Sequence, residues 1–139
     1  MPDLPAPRFH HKALAALLAF AAGGAGLQHA YLGRRYWWLA LLVTVACVPW
    51  LVGVKGWYQQ PAFFIAMVPV IAGFVEAVVL ALTPDAKFDA RHNAALERRN
   101  HSGWDAVLVA ILTMTVGMII ALTAIVLLMQ TIVEHLQGV

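Results

Sequence analysis

Four long apolar stretches, at residues 13–31, 36–54, 62–82 and 106–133, take up most of this 139-residue chain and hold almost none of its charge. A bilayer core of about 30 Å needs roughly 20 apolar residues at helical rise, and the four stretches run from 19 to 28 residues. Backbone in hydrocarbon must satisfy its own hydrogen bonds, so each stretch is expected to be a helix. The expectation is an all-α, polytopic membrane helical bundle with four transmembrane helices and one short charged connector helix. With 62% hydrophobic and 12% charged residues, the chain lies far from the soluble average of about 25% charged. Its natural partner is therefore the lipid bilayer.

The domain pattern follows from the polar breaks: a tail at 1–12, a three-span module at 13–83, a charged connector at 84–103, and a fourth transmembrane helix with its tail at 104–139. Residues 8–22 have the basic-then-apolar look of a signal peptide, but a retained first span is expected. The links at 32–35 and 55–61 are short enough to force antiparallel hairpins. Within the connector, Thr83-Pro84-Asp85 reads as a helix start. The helix is expected from Pro84 to about Arg99, with Phe88, His92 and Ala95 along one side. Ser102-Gly103-Trp104-Asp105 has the spacing of a capping box for the last span.

Six of the nine Lys and Arg residues, namely Arg34, Arg35, Lys87, Arg91, Arg98 and Arg99, fall in the first and third loops, against Arg8, Lys12 and Lys55 on the other face. The positive-inside rule then places both termini outside the cytoplasm. The same clustering explains the net charge of +2 as a topology signal, and no nucleic-acid partner is expected. The single cysteine, Cys47, excludes an intrachain disulfide and a cysteine metal cluster.

Small residues mark where helices approach. Ala15, Ala19 and Gly23 share one spacing-four row of the first stretch, and Ala22, Gly26 and Ala30 share another. Gly73, Ala77 and Ala81 repeat the pattern in the third stretch, so close packing of spans one and three is expected. Gly23, Gly24, Gly26, Gly73, Ala77 and Gly117 are the candidate packing positions. The competing reading of the glycine run is a broken helix that exposes backbone groups.

The segment Gly23-Gly24-Ala25-Gly26-Leu27-Gln28-His29-Ala30-Tyr31-Leu32-Gly33 resembles the first helix and turn of the TM-two domain family of small multi-pass membrane proteins. Its glycines and its Tyr-Leu-Gly ending match that family's pattern. Gln28, His29 and Ala30 depart from it, standing where His, Arg and Phe are usual. Glu76 followed by Asp85, Asp89 and Asn93 is similar to the family's acidic helix and polar tail, although residues 36–54 intervene as an extra apolar stretch. The resemblance implies a small helical module over about residues 12–95 and, if it holds, a bacterial inner membrane as the setting.

Glu76 is the acidic residue that lies well inside an apolar stretch, where a lone carboxylate costs about 2.5 to 3.5 kcal/mol on insertion scales. It needs a partner. Gln28, His29, Arg34 and Arg35 lie at comparable depth if spans one and three end on one face, so a polar cluster of these residues is expected, acting either as a clamp or as a proton- or ion-responsive site. Arg91, Arg98 and Arg99 are candidate contacts for anionic lipid headgroups. Asp85, Asp89 and His92 share a helix side, which chance and a solvated face explain better than a metal. No catalytic residue, metal or cofactor is assigned: the sequence carries no nucleophile motif and no His-x-x-x-His pair. The function expected is a structural or interaction module that binds a second copy or another membrane protein. An oligomeric ion or solute transporter using Glu76 is the alternative, and an enzyme is not expected.

Overall fold

In the computed structural model, residues 7–138 are described, and every regular element among them is a helix. The first apolar stretch gives α1 (Lys12–Ala22), a 3-10 turn at Gly23–Ala25 and α2 (Leu27–Tyr31), and the second gives α3 (Trp38–Leu51). A further 3-10 turn (Trp57–Gln59) leads into α4 (Pro61–Leu82), followed by α5 (Asp85–His92) and α6 (Trp104–Gln137). The expected all-α class holds. The expected number of spans does not: among the described residues two helices, α4 and α6, are long and apolar enough to cross a membrane.

The first stretch is a hairpin. Gly26 adopts φ +69°, the left-handed region that favours glycine, and ends the helical path begun at Lys12. α2 then runs back beside α1, so that the backbone N–H of His11 donates to the phenol oxygen of Tyr31 at 2.8 Å. Gly23 packs and Gly26 breaks the helix, but the break does not expose the backbone: the Gly24 carbonyl accepts from Thr44 and the Gly26 N–H donates to the Gly23 carbonyl. The row Ala15, Ala19, Gly23 runs along α1 to its C-cap, and the row Ala22, Gly26, Ala30 is cut by the turn.

α1 lies antiparallel to α4, with Lys12 at the α4 C-terminus and Gly23 against Gly73. A Cβ built on either glycine would stand 2.5 Å from the other's Cα, so the two backbones touch. Gly24 rests on Val70 and Thr44, and the Gly26 position is closed by the Trp37 carbonyl. The turn therefore sits near the middle of α4. α3 continues from there toward the α4 N-terminus, while α6 runs the full length of α4 in the opposite sense. Phe74 of α4 fills the notch left by Gly117 of α6. At the far end the side chain of Gln59 donates to Glu134 at 2.7 Å.

The core is made largely of small side chains, Ala15, Ala16 and Ala19 of α1 against Ala77, Leu80 and Ala81 of α4, Phe88 of α5 and Ala110 of α6. Large apolar side chains point outward instead, among them Val75, Val79 and Leu82 on α4 and Ile111, Met118, Ile119 and Ile125 on α6. Residues 7–12 stand beside α5, and Gly138 closes α6 at the opposite end. The two ends of the described chain thus lie at opposite ends of the bundle, which corrects the expectation of termini on one face. The hairpin is the physical reason, because the first stretch returns to the end from which it started.

Candidate functional site

Two polar assemblies occupy the end of the bundle where α4 gives way to α5. The first surrounds Glu76. Its Oε1 accepts from Arg34 Nη1 at 2.5 Å, and its Oε2 accepts from Gln28 Nε2 at 3.2 Å and lies 3.3 Å from His29 Nε2. Arg34 Nη1 also reaches His29 Nδ1 at 2.8 Å. That contact makes Nδ1 the acceptor and puts the ring proton on Nε2, facing the carboxylate. One guanidinium and one carboxylate balance, and a neutral imidazole and an amide complete the ring of donors. The carboxylate is 18% exposed and Arg34 is 44% exposed, so the cluster opens to the surface on the arginine side. Gln28 is fully buried, and its Oε1 has no hydrogen-bond partner among the described residues.

Of the residues expected to meet here, Gln28, His29, Arg34 and Glu76 do so. Arg35 does not: it turns away, with its guanidinium 5.8 Å from the Tyr36 ring. α2 is only five residues long, so it directs Gln28 and His29 toward α4, and the next loop brings Arg34 over the same carboxylate while its neighbour faces out.

The second assembly fastens residues 10–12 to the connector. Lys12 is 3% exposed. Its ammonium donates to the Thr83 carbonyl at 2.8 Å, completing the C-terminus of α4, and pairs with Asp85 Oδ1 at 2.6 Å. Asp85 also accepts from the Ser102 backbone N–H at 2.6 Å and from the Ser102 hydroxyl. Partial burial of Asp85 opposes ionisation, but the Lys12 ammonium and the Ser102 donors outweigh it and lower its pKa to about 2. Asp89 accepts from the side chains of Asn93 at 2.7 Å and Asn100 at 2.5 Å and from the Asn100 backbone at 2.7 Å. These donors and the charge of Arg99 overcome burial and hold Asp89 below the usual carboxylate range. Asn93 grips both backbone groups of His10, and Asn100 accepts from the Lys12 N–H.

The connector is therefore a shorter helix and a knotted loop. α5 stops at His92 because Asn93 turns inward to this network, and Ala95 ends up exposed. Ser102 does not cap α6, since Asp85 takes its hydroxyl. Gly103 donates instead to Asp105 at 2.9 Å. Asp85 and Asp89 are each engaged by cationic or amide donors, and no group of three metal-ligating side chains is found among the described residues.

His92 packs on Phe88 at 4.7 Å between ring centres and lies 6.3 Å from His10. Burial, His10 and the positive charges of Arg34 and Arg91 hold its pKa below the ordinary histidine value. Of the three arginines expected at lipid headgroups, Arg99 donates to the Asn93 carbonyl at 3.0 Å and Arg98 stacks over Phe9 at 4.5 Å. Arg91 instead faces an open cleft with Arg34, Glu76, Lys87 and His92. Asn93, Asn100 and buried Lys12 were not expected to be site residues. The one sequence signal was the Asp89/Asn93 spacing of four.

No family model matches the chain, and comparison with curated proteins and with solved structures gives no match either. The resemblance to the TM-two domain family thus rests on Gly23 to Gly33 and the Glu76, Asp85, Asp89 and Asn93 positions themselves.

Proposed function

We propose that this chain is a small integral membrane protein whose role is structural or interactive. In this reading α4 and α6 cross the bilayer and α1 with α2 forms a hairpin that dips in from the connector face and returns to it. The observation that carries the reading is the outward display of large apolar side chains along α4 and α6 over a core of alanine and glycine. In water such a surface would be an extended sticky patch, whereas in lipid it is the solvated face.

The turn at mid-depth is supported by its hydrogen bonding. Non-helical backbone at membrane depth is tolerated where protein buries it and supplies partners. The Thr44 hydroxyl donates to the Gly24 carbonyl at 2.5 Å, and Gly26 N–H returns to the Gly23 carbonyl at 3.0 Å. Charge supports the same topology. With residues 7–12 on the connector face, Arg8, Lys12, Arg34, Arg35, Lys87, Arg91, Arg98 and Arg99 all lie there, and Lys55 alone lies at the other end. Positive-inside then makes the connector face cytoplasmic.

Glu76 fits a clamp. Its donors come from α2 and the loop behind it, so the carboxylate ties the returning arm of the hairpin to α4. A shallow apolar groove of about 270 Å³ between α4 and α6, lined by Val75, Val78, Met114, Met118 and Ala121, offers room for side chains of a further transmembrane helix as the partner. Alkaline carbonate extraction followed by flotation tests the membrane assignment, with the chain expected to float. Flux across liposomes holding the pure protein tests the competing transport reading. No flux is expected, and flux abolished by Glu76→Gln would replace the clamp with a transport site.

A further inference from the structure

We propose that the cleft walled by Lys87 and Arg91 of α5 and by Arg34 of the loop after α2 binds the phosphate of an anionic phospholipid from the leaflet on that face. The proposal rests on the membrane reading above and adds a specific ligand to it. Lys87 and Arg91 are one helical turn apart on α5, are both exposed, and line one cleft of about 150 Å³. Neither forms an ion pair or a side-chain hydrogen bond among the described residues. The acids near them are already committed, Asp85 to Lys12 and Asp89 to Asn93 and Asn100. Glu76 is the carboxylate that lines the cleft, and Arg34 already balances it. Lys87 and Arg91 are left as two uncompensated positive charges facing the same space. His92 lines the same cleft, and burial first, then His10, Arg34 and Arg91, hold it below the ordinary histidine value, so it adds no counter-charge there.

The other wall identifies the class of anion. Val79 and Leu80 form it, and Val75, one turn before Val79, continues the exposed apolar surface down α4. A phosphate held by Lys87 and Arg91 would leave acyl chains lying along α4, whereas a free phosphate ion would use only the polar half of the cleft. A phospholipid with a net negative headgroup uses both halves.

The test uses the full chain in detergent, with lipid adducts counted by native mass spectrometry. The probes are phosphatidylglycerol and phosphatidylcholine of identical chains. Phosphatidylglycerol is expected to bind in preference, and Lys87→Gln/Arg91→Gln to weaken it about 25-fold, since each basic residue beside the bound phosphate is worth roughly fivefold. Arg8→Gln/Arg35→Gln removes the same charge from the same face outside the cleft and is expected to change binding less than about twofold. Equal loss in both double variants, absence of a preference, or displacement of phosphatidylglycerol by inorganic phosphate would overturn the proposal. If the Lys87/Arg91 variant loses helicity, the single substitutions are read instead, each expected to weaken binding about fivefold and overturning the proposal if neither does. A chain that stays soluble without detergent would defeat the membrane reading, a result distinct from any of these.

Discussion

The backbone N–H of His11 and the phenol oxygen of Tyr31 meet at 2.8 Å although twenty residues separate them. A continuous helix of that length would hold them about 30 Å apart. Their contact turns the first apolar stretch from a span into a hairpin, and it moves Arg8 and Lys12 to the same face as Arg34 and Arg91. In single-cysteine variants with Cys47→Ala, Arg8→Cys and His101→Cys should react together with a membrane-impermeant maleimide, and Lys55→Cys only from the other side. Arg8→Cys reacting with Lys55→Cys would restore the four-span arrangement.

Contact between Gly23 and Gly73 leaves no room for a side chain. A methyl at position 73 would meet Gly23 Cα at 2.5 Å and the Ala19 carbonyl at 2.8 Å, both backbone atoms with little freedom to move. Gly73→Ala should therefore destabilise the protein by about 3 kcal/mol, the upper part of the range for overpacking. Gly33 has φ +68° and nothing within 4 Å of a new Cβ, so Gly33→Ala should cost only the strain of a left-handed residue, about 1 to 2 kcal/mol. Unfolding in detergent followed by circular dichroism ranks the two, and the reverse order would mean that the helices do not touch as described.

Much of the Glu76 cluster was legible because a lone acid in an apolar stretch demands a partner, and Gln28, His29 and Arg34 are the polar residues at the far end of the first stretch. Depth matching works there for a span or for a hairpin, since both put residue 34 near the end of α4. The hairpin itself was not legible. Apolar periodicity reports that residues 13–31 avoid water, and it carries no sign of direction, so a turn built from Gly23 to Gly26 looks the same as a packing stripe. Lys12 reads as an ordinary flanking charge, because its burial depends on Thr83 and Asp85, more than seventy residues away. The knot of Asp89, Asn93 and Asn100 was hidden likewise, since amides signal a network only once His10 is beside them.

A double-mutant cycle on Glu76→Gln and Arg34→Gln measures the clamp. Glu76→Gln keeps one acceptor oxygen but removes the negative charge and the other acceptor, so Arg34 loses its counter-charge and one of the donors that now meet the carboxylate is left unpaired; the change should cost about 1 to 2 kcal/mol. The pair should show a coupling of about 1 kcal/mol, kept modest by the water that reaches Arg34. Additive single effects would assign Glu76 no structural debt to Arg34.

His92 should make stability fall on mild acidification. Its folded pKa lies below the ordinary value of 6.5, so the folded state binds this proton more weakly than the unfolded state does. Stability is then fully present above pH 6.5 and declines as pH drops toward the folded pKa. His92→Gln should flatten that part of a melting-temperature profile. An unchanged slope would place the titration elsewhere.

Asp85 should act further down the scale and through a different contact. Its pKa is held at about 2 against an ordinary value of 3.8, with the Lys12 ammonium and Ser102 donors overcoming burial. A depressed acid stabilises the fold above its unfolded pKa, so the Lys12–Asp85 contribution is complete above about pH 4 and is lost as pH falls through about 2. Asp85→Asn removes this acid limb and, at neutral pH, leaves the 3%-exposed Lys12 with the Thr83 carbonyl but without its counter-charge. The variant should therefore be less stable than the parent at pH 7 and approach it near pH 2. Limited proteolysis reads the same event locally: cleavage within residues 7–11 should accelerate in Asp85→Asn at pH 7, because Lys12 and Asp85 fasten that segment to the connector. Parallel stability curves for variant and parent from pH 7 to pH 2 would show that the pair does not hold it.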